Sequence, residues 1–300
     1  MSAILGFAAW SPSEASARLI DQVQDVLEEN ADYLPMTGRQ VFYRLVGAHG
    51  YGKTEKKYKA LLAKIARARR ARMIGFEAIR DDGVSERDPG GFSSPEDWLA
   101  FFRSFAKNYR RQRQDDQEEF LELWVEAAGM VPQAARVANP YGVPVYSSGG
   151  FNSVTMKHAA ARRFYDRFKR GRQLTHVLHI GDRDPSGESI FENLAADVPS
   201  FCWSLGFESK WTRIAVTEEQ VKGFGLEQAP PKPTDSRSAG WVGGTVQVEA
   251  MSPAELAGEI EDAISAHMDL GIYEVVLEAE EGERADLLRR LDKLLSTEGG

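Results

Sequence analysis

The spacing of apolar and polar residues predicts a helical first third of the chain. Hydroxyl side chains that can cap a helix precede three helical runs, at Ser11 or Ser13, at Thr37 and at Thr54. These runs are expected to end near residues 30, 50 and 73. Residues 81–95 are polar and rich in glycine, which indicates a wing or a linker. Residues 95–112 are predicted to form a further helix that carries four aromatic side chains on one side.

From residue 120 onwards, runs typical of strands alternate with runs typical of helices. Strands are predicted at 121–125, 143–147, 174–180, 211–216 and 245–250. Helices are predicted at 131–138, 153–170, 185–196, 252–270 and 280–296. Such alternation predicts a parallel sheet with helical crossovers, so functional groups are expected at the carboxyl ends of its strands.

Composition narrows the class of protein. The chain has 300 residues, 42% of them hydrophobic and 27% charged, which is typical of one large or two ordinary globular domains. No apolar run reaches the ~18 residues of a membrane span, and no basic segment precedes the apolar residues 3–10, so neither a span nor a signal peptide is expected. Cys202 is the single cysteine, which excludes an internal disulfide and favours a cytoplasmic protein with a buried thiol.

Charge is distributed unevenly around a formal net charge of −8. Residues 39–72 hold eleven Lys or Arg and one acid, whereas residues 249–298 hold fourteen acids and four Lys or Arg. The predicted helix after Thr54 carries most of the basic residues, and we interpret them as contacts to a phosphate backbone: Lys56, Lys57, Lys59, Lys64, Arg67 and Arg70. The alternative is an ordinary solvated basic face.

Two distant acidic segments follow predicted strands. Asp182 and Asp184 stand one residue apart in the run Gly-Asp-Arg-Asp-Pro-Ser-Gly after strand 174–180, and Glu126 directly follows strand 121–125. If the two strands are neighbours, the three carboxylates can together hold one or two Mg²⁺ ions and neutralise a phosphodiester. Glu126 can also transfer a proton. The alternative is that these acids only cap the helices that follow them.

Two further motifs carry weaker signals. Tyr43 lies one position off the apolar stripe of its helix, with Arg39 one turn earlier, so a phenol nucleophile and a phosphate ligand are conceivable there. The residues alone favour the plainer interpretation, an edge tyrosine that packs its ring. The run Gly149-Gly150-Phe151-Asn152-Ser153 opens a predicted helix whose N-terminus and Lys157 favour an anion, so Lys157 is a further candidate contact to DNA.

Taken together, these motifs resemble a known family. Glu126 after a strand and the run around Asp182 and Asp184 resemble a Toprim domain, the Mg²⁺-binding fold of topoisomerases, primases and some nucleases. The preceding basic helices, with Thr-Gly-Arg39-Gln-Val-Phe-Tyr43, resemble the CAP-like winged helix of the topoisomerase VI A subunit and its meiotic relative. Ser186 replaces the aromatic residue usual in the A subunit, and no GHKL ATPase domain or Walker motif is found. The compact relatives carried by phages and mobile elements are therefore the most similar.

The resemblance implies an α/β multidomain fold. Residues 1–110 are expected to hold the helical N-terminus, the winged-helix domain and a linker, and residues 111–300 a Toprim domain with an acidic helical extension. It implies that Tyr43 attacks DNA while Arg39 steadies the scissile phosphate beside the Mg²⁺ site.

The implied partners are double-stranded DNA, a second copy of the chain and a separate ATPase subunit, in a cytoplasmic, nucleoid-associated setting without a membrane. In the implied homodimer, the tyrosine of one protomer meets the metal of the other. Two alternatives stay open: a hydrolytic Toprim nuclease, in which Tyr43 is structural, and a DNA-binding module without catalysis.

Overall fold

A computed structural model describes residues 7–80, 90–150, 154–231 and 241–297 of the chain. Helices surround a four-stranded parallel sheet, so the predicted α/β class is confirmed. Within the described ranges, none of the helices combines the length and the apolar composition that crossing a lipid bilayer requires.

Three helices form the N-terminal part: α1 (Glu14–Glu29), α2 (Gly38–His49) and α3 (Glu55–Arg70). They begin at the predicted caps, and Thr37 forms a reciprocal capping box with Gln40. Two short parallel strands, β1 (Met36–Thr37) and β2 (Ile79–Arg80), lie beside them. The apolar faces of the three helices share one core. Whether this part is a winged helix stays a prediction, because most of the expected wing lies outside the described residues.

The sheet consists of β3 (Glu119–Val125), β4 (Val145–Ser147), β5 (Leu174–Ile180) and β6 (Ser209–Ala215), in the parallel order β4-β3-β5-β6. The helices that follow these strands are α5 (Val131–Ala138), α6 (Val154–Gly171), α7 (Pro185–Ser204) and α8 (Glu218–Gly223). The register aligns Val125 with Ile180, and Ile180 with Ala215. Residues that directly follow β3, β5 and β6 therefore meet at one edge of the sheet.

Two acidic helices close the fold, α9 (Pro253–His267) and α10 (Leu270–Thr297). Both were predicted, but α10 begins ten residues earlier than the predicted helix 280–296. The apolar side of α9 packs into the sheet core, whereas α10 lies along α4 (Pro95–Lys107). Glu280 of α10 is buried and forms an ion pair of 2.6 Å with Arg113, and Asp292 pairs with Arg103 at 2.6 Å. Part of the acidic charge of the C-terminal helices is thus neutralised inside the chain.

The segment 245–250 does not form the predicted strand. It makes two isolated antiparallel bridges, Val246 with Arg183 and Thr245 with Ala229, and then enters a 3₁₀ turn at Val248–Ala250. The prediction was wrong because this segment crosses the carboxyl end of the sheet, where its backbone bonds to the loop after β5 instead of to a neighbouring strand.

Candidate functional site

Glu126 and Asp182 meet where β3 and β5 end. The backbone N–H of Glu126 donates to the carbonyl of Ile180 at 2.8 Å, which continues the strand pairing by one residue. The Glu126 carboxylate turns back over the loop after β5, and its Oε2 accepts the Asp182 N–H at 3.1 Å. Two acids that are 56 positions apart in the chain therefore share one site, as the strand pattern predicts.

Two glycines leave the space that the Glu126 carboxylate fills, Gly181 in the loop after β5 and Gly187 in the first turn of α7. A Cβ at Gly181 would lie 2.8 Å from Glu126 Oε2. A Cβ at Gly187 would lie 2.2 Å from the carbonyl oxygen of Asp182 and 3.0 Å from Glu126 Oε2. Side chains at either position would push the glutamate off the loop. The glycines of the motif are therefore required by the packing of Glu126 over this loop.

We expect Gly187→Ala to destabilise the fold by about 1–3 kcal/mol, because the added methyl group meets a backbone oxygen that cannot move without displacing the loop. Gly258→Ala is the matched control, since its Cβ would meet nothing within 4 Å in helix α9 and should stabilise the helix by up to about 1 kcal/mol. Urea unfolding of both variants measures the difference. Equal stability of the two variants would contradict this account of Gly187.

The two aspartates each use one oxygen to fix the local backbone. Asp184 caps α7, since its Oδ1 accepts the Gly187 N–H at 2.7 Å. Asp182 Oδ1 accepts the Val248 N–H at 2.9 Å. Capping, the plainer interpretation, is therefore correct for Asp184, yet it engages one oxygen of two. Among the residues that the structure describes, no donor contacts the second oxygen of Glu126, Asp182 or Asp184.

Burial and repulsion between the acids raise the pKa values of Asp182 and Glu126. Burial, the negative charge of Glu249 and the nearby Glu126 and Asp184 raise the pKa of Asp182 to about 7. Burial also raises the pKa of Glu126, with Asp184 and Glu249 acting in the same direction. The negative charges of Glu126, Asp184 and Glu249 thus act on Asp182. A bound divalent cation would reduce the repulsion between these acids.

Glu249 and Arg213 are members of the site that the sequence analysis missed. Arg213 projects from β6 and donates to the carbonyls of Gly181 and Asp182, at 3.0 and 2.6 Å, so it holds the loop beneath the acids. An arginine in the middle of a predicted buried strand was the available signal, since a buried cation needs partners. Glu249 has no signal of its own, because only the folded path of 245–250 brings it here.

Tyr43 lies against the same site. Its hydroxyl donates to Gln247 Oε1 at 2.5 Å, two residues before Glu249. Its ring packs on both the helical core and the sheet core, so it bridges the two parts of the chain. Burial raises the pKa of Tyr43 to about 12, Arg39 lowers it, and Glu249 and Asp182 raise it. The phenol is therefore within electrostatic reach of the acidic group.

A cleft of about 380 Å³ joins α2 and α3 to the sheet edge. Arg39, Tyr43, Lys53 and Asp184 are among its lining residues. Arg39 donates to Gln247 Oε1 at 3.3 Å and stacks on the ring of Tyr58 at 4.7 Å. Cationic, phenolic and carboxylate groups therefore line one cleft. A group of this kind can bind a phosphate and stabilise charge that develops on it.

The basic residues of α3 differ in how exposed they are. Lys56, Lys57, Lys59 and Arg67 are exposed, and Lys64 and Arg70 are half-buried. Within α3 the nearest acid is Glu55, whose carboxylate lies 3.8 Å from Lys59. Lys157 differs from these residues: its side chain is 11% exposed and bonds to Asp197 at 2.9 Å. The structure thus places Lys157 in an ion pair within the fold, so we remove it from the candidate DNA contacts.

A second group with metal-ligand side chains lies at the opposite end of the sheet. Glu119, His176 and His267 bring ligand atoms within 4.8 Å of one another. His176 already bonds through both ring nitrogens, to Glu119 at 2.7 Å and to Thr212 at 2.8 Å. The ammonium of Lys210 also pairs with Glu119. A cation next to the only carboxylate of the group opposes metal binding, so we assign it a structural role.

The acids around Asp182 are spaced more widely: among the described residues, only Glu119, His176 and His267 bring three ligand atoms within 4.8 Å of one another. Hard divalent cations prefer carboxylate oxygens, and Glu126, Asp182 and Asp184 each direct such a group to the sheet edge.

Comparison of the chain with protein-family models, with curated proteins and with solved structures finds no match.

Proposed function

We propose that the protein cleaves double-stranded DNA by transesterification, with Tyr43 as the nucleophile and Mg²⁺ held by Glu126, Asp182 and Asp184. The observation that carries the proposal is the junction at Gln247: this residue binds the Tyr43 hydroxyl, and the next residue, Val248, binds the Asp182 carboxylate. The phenol of Tyr43 and the carboxylate of Asp184, which are far apart in the sequence, line one cleft, and Asp182 is bonded to the segment beside it.

In the proposed reaction, the Tyr43 oxygen forms a bond to phosphorus as the bond from phosphorus to one deoxyribose oxygen breaks. The phenolic proton leaves Tyr43, and the departing sugar oxygen takes up a proton. By the family resemblance, the protein becomes attached to a 5′ end. When bound, Mg²⁺ would neutralise the negative charge that develops on the phosphoryl oxygens.

Each side chain around Tyr43 has a role in this scheme. A phenol with a pKa of about 12 keeps its proton at neutral pH, so the proton has to leave as the bond to phosphorus forms. Gln247 is a neutral amide that orients the hydroxyl and does not serve as a base. Glu126, whose pKa burial raises, is the proposed proton-transfer group. Arg39 would hold a non-bridging phosphate oxygen.

The exposed lysines of α3 would position the DNA backbone. Replacing Lys56, Lys57 and Lys59 by alanine should weaken DNA binding similarly for all sequences, and should make the negative slope of log K against log[salt] less steep by about 3. Fluorescence anisotropy with duplexes of different sequence, at several salt concentrations, measures both effects. The control replaces Arg289 and Arg290 of α10, which pair with Asp286. An unchanged salt slope in the α3 variant would remove this helix from the interface.

Trapping of the covalent product tests the proposed function. The protein is incubated with supercoiled plasmid and Mg²⁺ or Mn²⁺, denatured with SDS, and examined for protein attached to DNA ends. We expect cation-dependent adducts. Cleavage without an adduct would instead indicate hydrolysis by water. Binding without cleavage under any cation would indicate a DNA-binding module. The homodimer and the separate ATPase subunit that the resemblance implies stay predictions.

A further inference from the structure

We infer that the C-terminal end of helix α3 carries a stacking site for unpaired nucleobases, formed by Phe7, Phe76 and the arginines that lie over their rings. The choice of DNA as the ligand rests on the proposed function. The site would hold a single-stranded part of a DNA molecule whose duplex part contacts the basic residues of α3. DNA that contains a junction between duplex and single strand would then be the preferred ligand.

Two aromatic rings at the end of α3 are open to solvent. Phe7 is 60% exposed and Phe76 is 53% exposed, and their ring centroids lie 6.0 Å apart in an edge-to-face arrangement. The two residues come from different segments, one before α1 and one after α3. Contact with water is unfavourable for such rings, so covering them with a flat apolar ligand would release free energy.

A guanidinium lies over each of these rings. Arg72 lies 4.4 Å from the centroid of Phe7, and Arg69 lies 4.5 Å from that of Phe76. Beside them, Arg67 lies 5.8 Å from the ring of Trp10. Among the residues that the structure describes, neither Arg67 nor Arg72 forms an ion pair with an acid. Aromatic faces next to positive charge are the combination that binds single-stranded nucleic acid.

Hydrogen bonds fix both aromatic segments to the end of α3. The N–H of Ala8 donates to the carbonyl of Arg70 at 3.0 Å, and the side chain of Arg69 donates to the carbonyl of Phe76 at 2.8 Å. Arg72 has a φ of 62°, in the left-handed region where glycine is favoured and a side chain is strained. The rings and their cations are therefore held in place before a ligand binds, which lowers the entropic cost of binding.

Unpaired bases fit this cluster better than a duplex does. In a duplex each base is stacked on its neighbours, and the phosphates on the outside need cations but no aromatic partner. An unpaired base can place its π face on a phenyl ring while its phosphate contacts a guanidinium. The cluster offers both kinds of group within a few ångströms.

The position of the stacking site along α3 relates it to the cleft. Tyr58, near the start of α3, lines the cleft that also contains Tyr43. Arg69 follows near the end of the same helix, roughly 16 Å further along its axis at about 1.5 Å per residue. This separation is roughly the length of five base pairs. A DNA strand whose phosphate lies at Tyr43 can therefore reach the rings with a base that is about five nucleotides away.

Duplexes that differ only in a tail test this inference. The first is a blunt duplex of about 20 base pairs, the second adds a tail of about ten thymidines, and the third adds an abasic tail of the same length, on either the 5′ or the 3′ strand. Fluorescence anisotropy is measured in EDTA, so that no cleavage occurs. We expect the thymidine tail of one polarity to raise the affinity by about 10- to 100-fold over both other DNAs. Equal affinity for thymidine and abasic tails would overturn the inference, since phosphate contacts alone would explain it.

Alanine variants locate the preference on the protein. Phe7→Ala combined with Phe76→Ala should bind all three DNAs equally, at the wild-type affinity for the blunt duplex. Phe101→Ala combined with Phe105→Ala is the matched control, because these rings are 50% and 65% exposed on α4, and it should keep the preference for the thymidine tail. Thermal unfolding checks that both variants fold. A tail preference that survives in the first variant would contradict the assignment of the site.

Adduct formation on the same DNAs in Mg²⁺ separates this inference from the proposed function. A preference for the thymidine tail without SDS-resistant adducts would support the stacking site and reject transesterification. Adducts without that preference would reject the stacking site alone. Failure of the protein to bind any of the DNAs would reject both.

Discussion

Tyr43→Phe should reduce the covalent protein–DNA product by at least about 1,000-fold, because it removes the oxygen that we propose forms the phosphotyrosyl bond. The phenylalanine keeps the ring that packs between the two cores. Loss of the hydrogen bond to Gln247 should cost about 1 kcal/mol of stability. DNA affinity should be unchanged, since the α3 surface is intact. Adducts are quantified after SDS treatment, and the fold is checked by thermal unfolding.

Two neighbouring tyrosines provide matched controls for this variant. Tyr51 and Tyr58 pack with Tyr43 around the ring of Phe42, at centroid distances of 5.3 to 6.1 Å. Tyr51→Phe and Tyr58→Phe each remove a hydroxyl from the same cluster, and a phenyl ring at position 58 can still stack with Arg39. Both variants should form adducts at close to the wild-type level. If either lost the adduct while Tyr43→Phe kept it, the nucleophile would be assigned wrongly.

Asp182→Asn should stabilise the metal-free protein above neutral pH while abolishing its response to Mg²⁺. The amide oxygen of asparagine can still accept the Val248 N–H, and the buried negative charge is removed. The pKa of Asp182 is about 7 in the folded protein, against 3.8 for the free side chain. Between about pH 4 and pH 7 the folded state therefore binds a proton that the unfolded chain releases, so wild-type stability falls as pH rises through this window.

The variant lacks this titration, so the two proteins should have similar stability near pH 4 and diverge above it. Because of this pKa difference, the free energy of unfolding at pH 8 should be roughly 2–4 kcal/mol higher for the variant than for the wild type. Added Mg²⁺ should raise the unfolding temperature of the wild type at pH 8 and leave that of the variant unchanged. Differential scanning fluorimetry across pH 4–8, with and without Mg²⁺, measures both effects. Asp286→Asn on α10 is the control for an aspartate at the surface, half-buried and paired with Arg289 and Arg290.

An equal response of both proteins to Mg²⁺ would mean that the cation binds elsewhere. If the wild type does not lose stability relative to the variant between pH 4 and pH 8, the pKa of Asp182 is not raised by burial and the neighbouring acids. DNA cleavage by Asp182→Asn at the wild-type rate would exclude the metal site from the reaction.

The acidic centre was predictable because its parts follow local rules. Proline and glycine after Asp184 predict the turn into a helix, and the observed helix begins at Pro185. Parallel strands place their carboxyl ends together, so Glu126 and Asp182 had to meet once β3 and β5 were neighbours. The helix starts at Thr37 and Thr54 follow from side-chain capping, which involves only residues close in sequence. Ser13 also stands at the predicted helix start, but its side chain makes no capping hydrogen bond.

Other members of the site had no local signal. Gln247 and Glu249 belong to a segment that looked like a strand, and its bonds to the loop after β5 depend on how that loop closes the sheet edge. Lys157 looked like a free cation at a helix start, but its partner Asp197 lies on another helix. Hydrogen-bond partners of this kind are set by packing between elements, which a periodic pattern does not encode.

The sequence by itself determined the α/β class, the helix caps, and the sheet edge at which Glu126 and Asp182 gather, because strand alternation, caps and turn residues act over a few positions. Only the tertiary structure decided that Tyr43 of α2 lies against this edge. That contact depends on two separately formed cores packing around one tyrosine ring, and on Gln247, which lies 204 positions from Tyr43 in the chain.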